Sequence, residues 1–383
     1  MAGVSAPYWR LSNFYFWYFA SLGALVPYWS LYLKGRGFDA VAIGELMAIL
    51  MATKMVAPNI WGWIADHTGQ GMRIIRLASA LSALVFAGIF FTDSYWGIAL
   101  VMIGFSFFWN AALPQFEAVT LSHLGADTHR YSSIRLWGSM GFIVTVAGLG
   151  AALDYVSSDR LPVVLVVLFA GIWLASLAVS ENPQAHHPPH DHSIRDVILR
   201  REVLALLAVC FLMQASHGPY YAFYTLYMED HGFSRNAIGQ LWALGVLAEI
   251  GVFLVMHRWL PTVGARVLLL SSLLLASLRW LLIALWPDHL LWVLIAQLLH
   301  AATFGVYHAV AIHLVHRYFV GRHQGRGQAL YSSLSFGAGG AFGSLYAGYV
   351  WSGISPSASF VAAAGLSLMA AFLAWRYIPG GRS

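Results

Sequence analysis

The sequence predicts an all-α membrane protein with twelve transmembrane helices, arranged as two six-helix bundles around a central cavity. Three observations support this fold class. Of the 383 residues, 59% are hydrophobic and only 10% are charged, whereas a soluble domain carries about 25% charged residues. Apolar runs long enough to span a bilayer recur along the whole chain. A segment of the first half also returns in the second half, which indicates an internal duplication.

Twelve predicted spans follow from apolar runs that are separated by glycine, proline and charged residues. They cover residues 8–33, 41–64, 72–92, 95–123, 131–154, 162–180, 202–230, 236–257, 265–286, 289–318, 325–352 and 356–377. We interpret the stretch 14–33 as the first span rather than a removed signal peptide, because no small-residue cleavage site follows a short apolar core.

The longest polar stretch, residues 181–201, divides the chain. It is rich in histidine, proline and charge, and we interpret it as a cytoplasmic linker. The predicted domains are therefore an N-terminal six-helix bundle over 1–180 and a C-terminal six-helix bundle over 202–383. The histidines of the linker resemble a metal-binding tract, but they have no rigid frame, so we predict no metal site there.

The internal repeat compares residues 28–46 with residues 223–241. Eight of the nineteen aligned positions are identical, and the match crosses a polar loop. A second echo is the sequence Tyr-Ser-Ser at 131–133 and at 331–333, which starts the fifth and eleventh spans. Chance similarity between apolar segments could explain the second echo. Both fall where a six-plus-six duplication requires them, as in transporters built from parallel repeats.

Basic residues predict the orientation of the spans. With a cytoplasmic N-terminus, the inner loops and tails hold fourteen of them and the outer loops hold four. The inner set is Arg10, Arg73, Arg76, Arg130, Arg195, Arg200, Arg201, Arg258, Arg266, Arg317, Arg322, Arg326, Arg376 and Arg382. The outer set is Lys34, Arg36, Arg160 and Arg235. The asymmetry predicts a multi-pass protein of the cell inner membrane with both termini in the cytoplasm.

Common catalytic motifs are missing from the sequence. Neither of the two lysines, Lys34 and Lys54, lies in a phosphate-binding loop, and there is no G-x-S-x-G or H-E-x-x-H motif. The single cysteine, Cys210, excludes an internal disulfide. We therefore expect no enzyme activity, no cofactor and no nucleic-acid partner. A gradient-driven or facilitated transporter remains, and a membrane-embedded enzyme or a sensor is the remote alternative.

Charged residues inside the predicted spans of the first half need an explanation, because a charge at mid-bilayer costs about 2.5–3.5 kcal/mol. Glu117 lies near the cytoplasmic end of the fourth span and Arg135 lies just inside the fifth. Asn110 shares a helical face with Glu117. Either Glu117 and Arg135 form a structural ion pair, or they bind substrate; Asn110 and the nearby aromatic Trp137 are further candidate substrate contacts.

The second half carries its own polar residues. Glu249 lies in the eighth span, Arg279 in the ninth, and His300 and His308 in the tenth. Histidine titrates near neutral pH, and such groups can take up and release a proton. We predict that Glu249 with His300 or His308 couples proton movement. In the seventh span His217 and Tyr221 share a stripe, and we add both, with Arg279, to the candidate substrate contacts.

One loop resembles the conserved loop of the major facilitator superfamily. Residues Gly62 to Gly69, followed by Arg73, resemble the pattern G-x-x-x-D-[RK]-x-G-[RK] and depart from it at His67 and Gln70. The resemblance implies the major facilitator fold. It makes Gly62, Asp66, Gly69 and Arg73 the expected conformational loop, with Asp66 as its key residue.

A narrower resemblance is to the 3-phenylpropionate permease group. It rests on segments spread over both halves, namely Arg135–Ser139, His217 with Tyr220 and Tyr221, Leu241–Glu249, Arg279 with Trp280, and His300 with Thr303, Phe304 and His308. The charge pattern is also similar to that of lactose-permease-type sugar:proton symporters. Both resemblances imply proton symport by alternating access.

These observations lead to one functional expectation with alternatives. The chain is expected to take up a small organic molecule, such as an aromatic carboxylate, together with a proton. Arg135 or Arg279 would hold the carboxylate. Proton-coupled uptake of a sugar or a nucleoside is the first alternative, and export is a further one. The other expected partner is the lipid bilayer, and we expect a monomer.

Overall fold

The computed structural model describes residues 7–125, 127–181 and 194–380, without the side chains of Asp66 and Arg322. Within this part of the chain the structure is helical, with no strands. The predicted linker lies mostly outside the described residues. So do its four histidines, His186, His187, His190 and His192.

Twelve helical segments, here labelled α1 to α12, account for the bundle. The first six are α1 (Tyr8–Gly35), α2 (Ala40–Thr68), α3 (Gly71–Phe91), α4 (Tyr95–Leu124), α5 (Tyr131–Leu153) and α6 (Leu161–Leu177). The second six are α7 (Arg201–Ser216 and Gly218–Asp230), α8 (Arg235–Val263), α9 (Ala265–Leu285), α10 (Leu290–Tyr318), α11 (Gln324–Ser332, Ser333–Gly339 and Gly340–Gly353) and α12 (Pro356–Tyr377).

Ten of these segments are long and apolar enough to cross a membrane. The other two, α1 and α11, are of similar length and pack among the ten. The predicted all-α membrane fold is confirmed, and the described helices are consistent with twelve spans. Helix boundaries predicted from the sequence lie within a few residues of those in the structure for most segments.

The repeated sequence forms the same turn in both halves. Gly37 and Gly232 adopt φ angles of 88° and 82°, a left-handed conformation that favours glycine. In each turn the next residue, Phe38 or Phe233, closes a hydrogen bond to the carbonyl five positions earlier, which is the Schellman ending of a helix. An acceptor side chain, Asp39 in one half and the corresponding serine in the other, then caps the following helix.

Three helices depart from regular α geometry near the middle of the molecule. Helix α7 breaks at His217, because Pro219 removes a backbone donor and crowds the preceding turn. Helices α10 and α11 contain π-helical turns over Ala301–Val306 and Ser333–Gly339. Insertions of this kind are frequent at functional sites. The apolar pattern predicted all three as unbroken spans, since periodicity does not reveal a local change of helical pitch.

The two halves pack by equivalent pairs of helices. In the first half α1 packs on α5 and α6, and α4 packs on α2 and α3; in the second half α7 packs on α11 and α12, and α10 packs on α8 and α9. Between the halves α2 packs on α11, α5 packs on α8, and α1 packs on α7. The halves therefore meet through corresponding surfaces.

Glycines sit at two close crossings between the halves. A Cβ atom built on Gly44 of α2 would lie 2.9 Å from the Cα of Gly348 in α11, and one built on Gly150 of α5 would lie 3.1 Å from the Cα of Gly239 in α8. Gly44 and Gly239 occupy equivalent positions of the repeat. Each crossing thus needs a residue without a side chain to let two backbones touch.

Polar contacts join the halves at the face opposite the two termini, which we call the sealed face. There Lys34 pairs with Asp230 at 2.9 Å, and the Asp154 carboxylate accepts the backbone N–H of Arg235 at 2.8 Å. The carboxylate of Glu45 in α2 accepts two hydroxyl groups, one from Tyr95 in its own half and one from Tyr349 in the other, each at 2.8 Å.

We expect Glu45→Ala to favour opening of the sealed face. The change removes a hydrogen bond to a charged acceptor that joins α2 to α11, and such a bond contributes about 1.5–3 kcal/mol when buried and less when exposed. The expected shift is a several-fold rise in the open population. Spin labels placed in the two turns at positions 36 and 231, in a Cys210→Ser background, would measure it as longer distances. Glu45→Gln, which keeps an acceptor, is expected to give a smaller shift, and equal populations in all three proteins would contradict the prediction.

Candidate functional site

Two of the residues predicted for the first half, Glu117 and Arg135, lie near each other where α4 ends and α5 begins. The Glu117 carboxylate lies beside the Tyr131 hydroxyl and within electrostatic range of Arg135. The two side chains form no ion pair within 4 Å among the described residues. Instead, the Arg135 guanidinium stacks 3.7 Å from the centre of the Phe19 ring. The structure therefore does not contain the direct Glu117–Arg135 ion pair that was one of the two interpretations of these residues.

In the second half Glu249 approaches His300. A Glu249 carboxylate oxygen lies 3.5 Å from Nε2 of His300. Helix α10 reaches this close because Gly305 lies against the Glu249 side chain, where a built Cβ would be 3.2 Å from Cγ. Glu249 nevertheless keeps 16% of its side chain exposed, and His300 keeps 8%. The pair is therefore largely buried, and each side chain keeps a small exposed fraction.

Arg135 links the two halves electrostatically. It lies within electrostatic range of both Glu249 and His308, although these residues belong to the other half of the chain. All three are partly exposed on the inner faces of their helices. Four predicted residues, Glu117, Arg135, Glu249 and His308, thus lie near one another where the two halves face each other, a region we call the cleft. His300 contacts Glu249 beside it.

An aromatic wall continues from this cluster along α10. The ring of Phe304 stacks between His300 and His308, with interplanar angles of 11° and 9°. His308 also contacts the Tyr331 hydroxyl through Nδ1 at 3.0 Å. Phe336, in the π-helical turn of α11, packs against the rings of Phe304 and His308. The cleft therefore has an apolar, aromatic surface beside its charged groups.

Arg279 is buried inside the C-terminal bundle with none of its surface exposed. Its Nε donates to the carbonyl of Ala296 at 2.9 Å and its Nη1 donates to the Thr303 hydroxyl at 3.1 Å. The guanidinium stacks 4.2 Å from the centre of the Tyr220 ring. The structure thus shows Arg279 joining α9 to α10 rather than facing the cleft, because its planar group fits two acceptors and one ring.

We expect Arg279→Lys to destabilise the protein by about 2–4 kcal/mol. A lysine ammonium cannot reach both acceptors or stack on Tyr220, so a buried charge would lose partners. Thermal unfolding in detergent would measure this as a lower melting temperature. Thr303→Val removes one acceptor only and serves as the control, with an expected cost of about 1 kcal/mol. A lysine variant as stable as the native protein would contradict this role.

His217 and Tyr221 lie next to each other beside the break in α7. His217 is fully buried; its Nδ1 bonds the carbonyl of Met213 at 2.8 Å, and its ring meets Trp280 edge-on. Tyr221 stacks on His217 with ring centres 5.6 Å apart and is partly exposed. Tyr221 can therefore contact a ligand, whereas His217 is buried and only packs against the Tyr221 ring.

Two predicted substrate contacts are placed elsewhere. Asn110 is 4% exposed and donates to the Thr53 hydroxyl at 2.9 Å, so it joins α4 to α2. Trp137 donates from Nε1 to the Tyr8 hydroxyl at 3.0 Å and packs on Trp9, on the outer side of α5. The structure does not bring Trp137 to the cleft. Its helical face opposes that of Arg135, because two positions along a helix turn a side chain through more than half a circle.

The predicted conformational loop ends α2. Gly69 adopts a φ angle of 66° and caps the helix by donating to the carbonyl of Ala65 at 2.8 Å. Arg73 donates to the side chain of Gln70, at 2.9 Å, where the family pattern has a basic residue. Gly62 packs near the Gln115 side chain of α4. The side chain of Asp66 lies outside the described residues, so its predicted role stays a prediction.

Comparison with known proteins identifies the family. A model of the MFS_1 like family matches residues 8–362. The chain belongs to the MFS_1 like family. Among its relatives, an Escherichia coli (strain K12) protein named as a probable 3-phenylpropionic acid transporter is 30% identical over 95% of this chain and 96% of its own length. A maltose permease of Geobacillus stearothermophilus is 27% identical over 88% of this chain and 86% of its own length.

Solved structures agree with this assignment. A crystal structure of the nucleoside transporter NupG superposes with a TM-score of 0.83 at 16% identity, covering 98% of this chain and 99% of that chain. This likeness concerns the fold. The family, the relatives and the helices together make this MFS_1 like protein a multi-pass membrane transporter, and the resemblance to the major facilitator superfamily is confirmed.

Several residues of the cleft in this transporter were not predicted from the sequence. Tyr131 beside Glu117, Tyr331 beside His308 and Phe336 were not singled out as site residues. A usable signal existed for the two tyrosines, because they begin the Tyr-Ser-Ser echo. In each half this tyrosine reaches a titratable residue of the preceding helix. Among the described residues no cluster of histidine, cysteine and carboxylate side chains could hold a metal ion.

Proposed function

We propose that this transporter carries a small organic acid, such as an aromatic carboxylate, into the cell together with a proton, by alternating access. The observation that supports this proposal is the position of Arg135. It comes from the first half yet lies within electrostatic range of Glu249 and His308 in the second. A change in the charge of Glu249 would therefore change the electrostatic potential at Arg135, on the other side of the cleft.

The coupling follows from simple electrostatics. While Glu249 is ionised, Arg135 faces a carboxylate on the opposite wall. When Glu249 takes up a proton, that attraction is lost, and the uncompensated positive charge of Arg135 favours the entry of another anion into the cleft. Opposite charges attract each other more strongly in a low-dielectric interior than in water. Protonation of Glu249 and binding of a substrate carboxylate would then favour each other, as symport requires.

The aromatic wall supports an aromatic substrate. Phe304 and Phe336 are partly exposed and carry no polar group, and an aryl ring would pack on them. The relative named as a probable 3-phenylpropionic acid transporter agrees with this substrate class. We further propose that both termini face the cytoplasm across the cell inner membrane, as the distribution of basic residues predicts.

Uptake of a sugar or a nucleoside is the second candidate. The maltose permease among the relatives favours it, and so does the cluster of Glu117, Tyr131 and Arg135, whose groups could bind hydroxyls. In this case the carboxylate of Glu117 would accept hydrogen bonds from the ligand, and an aromatic residue would stack on its ring.

One experiment separates the candidates. Purified protein in proteoliposomes would be given labelled 3-phenylpropionate, maltose or uridine, with and without an inward proton gradient. We expect concentrative uptake of the aryl acid only with the gradient, collapsing when a protonophore is added. Concentrative uptake of maltose or uridine instead would favour the second candidate. Accumulation of the aryl acid that ignores the gradient would exclude proton coupling.

A further inference from the structure

Lys54 lies at the midpoint of α2, which runs from Ala40 to Thr68. Its neighbours define the direction of its side chain. Thr53 faces α4, where it bonds Ser106 and Asn110, and Met55 faces α11, where it packs on Gly337. Position 54 points between these two contacts, towards the space that the halves enclose, and Lys54 is partly exposed there.

Within the described part of the chain, no anionic side chain pairs with Lys54. Among the described residues its ammonium group forms neither an ion pair nor a hydrogen bond. The other two cations within the spans are accommodated. Arg135 lies within range of two carboxylates. Arg279 donates to two acceptors and stacks on an aromatic ring, with only its Nη2 lacking a partner among the described residues. An unpaired charge at mid-membrane depth is costly, so it implies a function.

The internal repeat adds an independent observation. The alignment of residues 28–46 with 223–241 has an offset of 195 positions, and continuing it without a gap pairs Lys54 with Glu249. Glu249 likewise lies at the midpoint of its helix, Arg235–Val263. Equivalent positions of the two halves therefore carry opposite charges. Glu249 has the histidine neighbours His300 and His308, and Lys54 has no partner among the described residues.

An aromatic surface lies close to Lys54. The π-helical turn of α11 packs against α2 beside Lys54, through Met55 and Gly337. The same turn carries Phe336, whose ring contacts Phe304 and His308. A ligand with a carboxylate and a phenyl ring could thus place the carboxylate at Lys54 and the ring on Phe336.

We propose that Lys54 is the carboxylate-binding residue of this transporter: it pairs with the anionic group of the substrate at the middle of the membrane, and Glu249, its counterpart in the repeat, carries the proton. This inference rests on the proposed function and deepens it. Lys54 selects acids over neutral analogues, whereas Arg135 responds to the charge of Glu249.

Ligand binding by charge variants tests the assignment. Dissociation constants would be measured for 3-phenylpropionate and for its neutral analogue 3-phenylpropionamide, with native protein, Lys54→Met and Lys54→Arg. We expect Lys54→Met to weaken binding of the acid at least tenfold, about 1.4 kcal/mol, and to leave binding of the amide unchanged. Lys54→Arg should retain most of the preference for the acid. Since Lys54→Met removes an unpaired charge, its ligand-free melting temperature should equal or exceed that of the native protein.

Chemical labelling gives a second, mutation-independent readout at Lys54. Because Lys34 is the only other lysine, Lys34→Arg leaves Lys54 as the single side-chain amine. A small amine-reactive acylating reagent would then modify Lys54, with peptide mass mapping to separate it from the N-terminal amine. We expect 3-phenylpropionate to protect Lys54 and the amide to protect it much less.

The outcomes distinguish this inference from the proposed function. If the native protein prefers the acid but Lys54→Met binds it equally well, or the acid leaves labelling of Lys54 unchanged, the role of Lys54 is wrong and the substrate class stands. If Lys54→Met weakens binding of the acid and of the amide equally, Lys54 acts structurally and the inference is overturned. If the native protein binds maltose or uridine and not the acid, both the substrate class and the carboxylate site fail.

Discussion

Replacing Glu249 by glutamine is expected to abolish concentrative uptake while leaving exchange of substrate across the membrane intact. Glutamine keeps the size and hydrogen-bonding capacity of the side chain but cannot bind and release a proton. Glu249 contacts His300 at 3.5 Å and lies within electrostatic range of Arg135. Its charge therefore acts on groups of both halves of the protein. We expect accumulation in proteoliposomes under an inward proton gradient to fall at least tenfold, to the equilibrium level.

Counterflow measures substrate exchange across the membrane, which we expect Glu249→Gln to retain. Vesicles preloaded with unlabelled substrate should still take up labelled substrate at a rate within a few-fold of the native protein. Glu45→Gln, a carboxylate change on the sealed face away from the proton cluster, is the matched control and should retain concentrative uptake. A Glu249→Gln protein that still concentrates substrate would exclude Glu249 as the coupling residue.

Replacing Gly239 by alanine is expected to stop transport by preventing closure of the sealed face. A Cβ at this position would lie 2.6 Å from the carbonyl oxygen of Val146 and 2.7 Å from the Tyr28 hydroxyl, both closer than packed atoms approach. Helices α5 and α8 would have to separate to admit the methyl group. We expect a more than tenfold loss of the transport rate, measured as initial uptake, with longer distances between spin labels on the sealed face.

Gly251 supplies the control within the same helix. A Cβ there meets nothing within 4 Å, so Gly251→Ala should transport normally and gain up to about 1 kcal/mol from helix propensity. Gly44→Ala, at the equivalent crossing where a Cβ would lie 2.7 Å from the Ser344 carbonyl, should reproduce the defect of Gly239→Ala. Normal transport by Gly239→Ala would show that this crossing does not need to close as tightly as observed.

The overall fold of this transporter was predictable because the bilayer imposes strong rules on composition. Span number, the duplicated hairpin turn and the main polar residues all follow from apolar length and from local sequence. The breaks were not predictable in the same way. The π-helical turns at Ala301–Val306 and Ser333–Gly339 add a residue without changing the apolar pattern, and only packing against neighbouring helices reveals them.

The cleft could be predicted in part. Titratable residues inside the predicted spans identified Glu117, Arg135, Glu249 and the histidines of α10, and the structure brings them to one cleft. Depth alone could not say which way a side chain faces: Arg279 has the same charge as Arg135 but is fully buried. Exposure and partners, which belong to the folded molecule, separate a residue that holds helices together from one that faces a ligand.

The paired glycine crossings have a consequence for the origin of the molecule. Because α8 is the repeat counterpart of α2, and α5 that of α11, the contacts α2–α11 and α5–α8 are two copies of one interface. Each half therefore carries both complementary surfaces. Two identical copies of such a half would be self-complementary and would close as a twofold dimer, with the same patch buried on both sides. The present chain has the geometry of a fused homodimer whose two subunits have since diverged in charge.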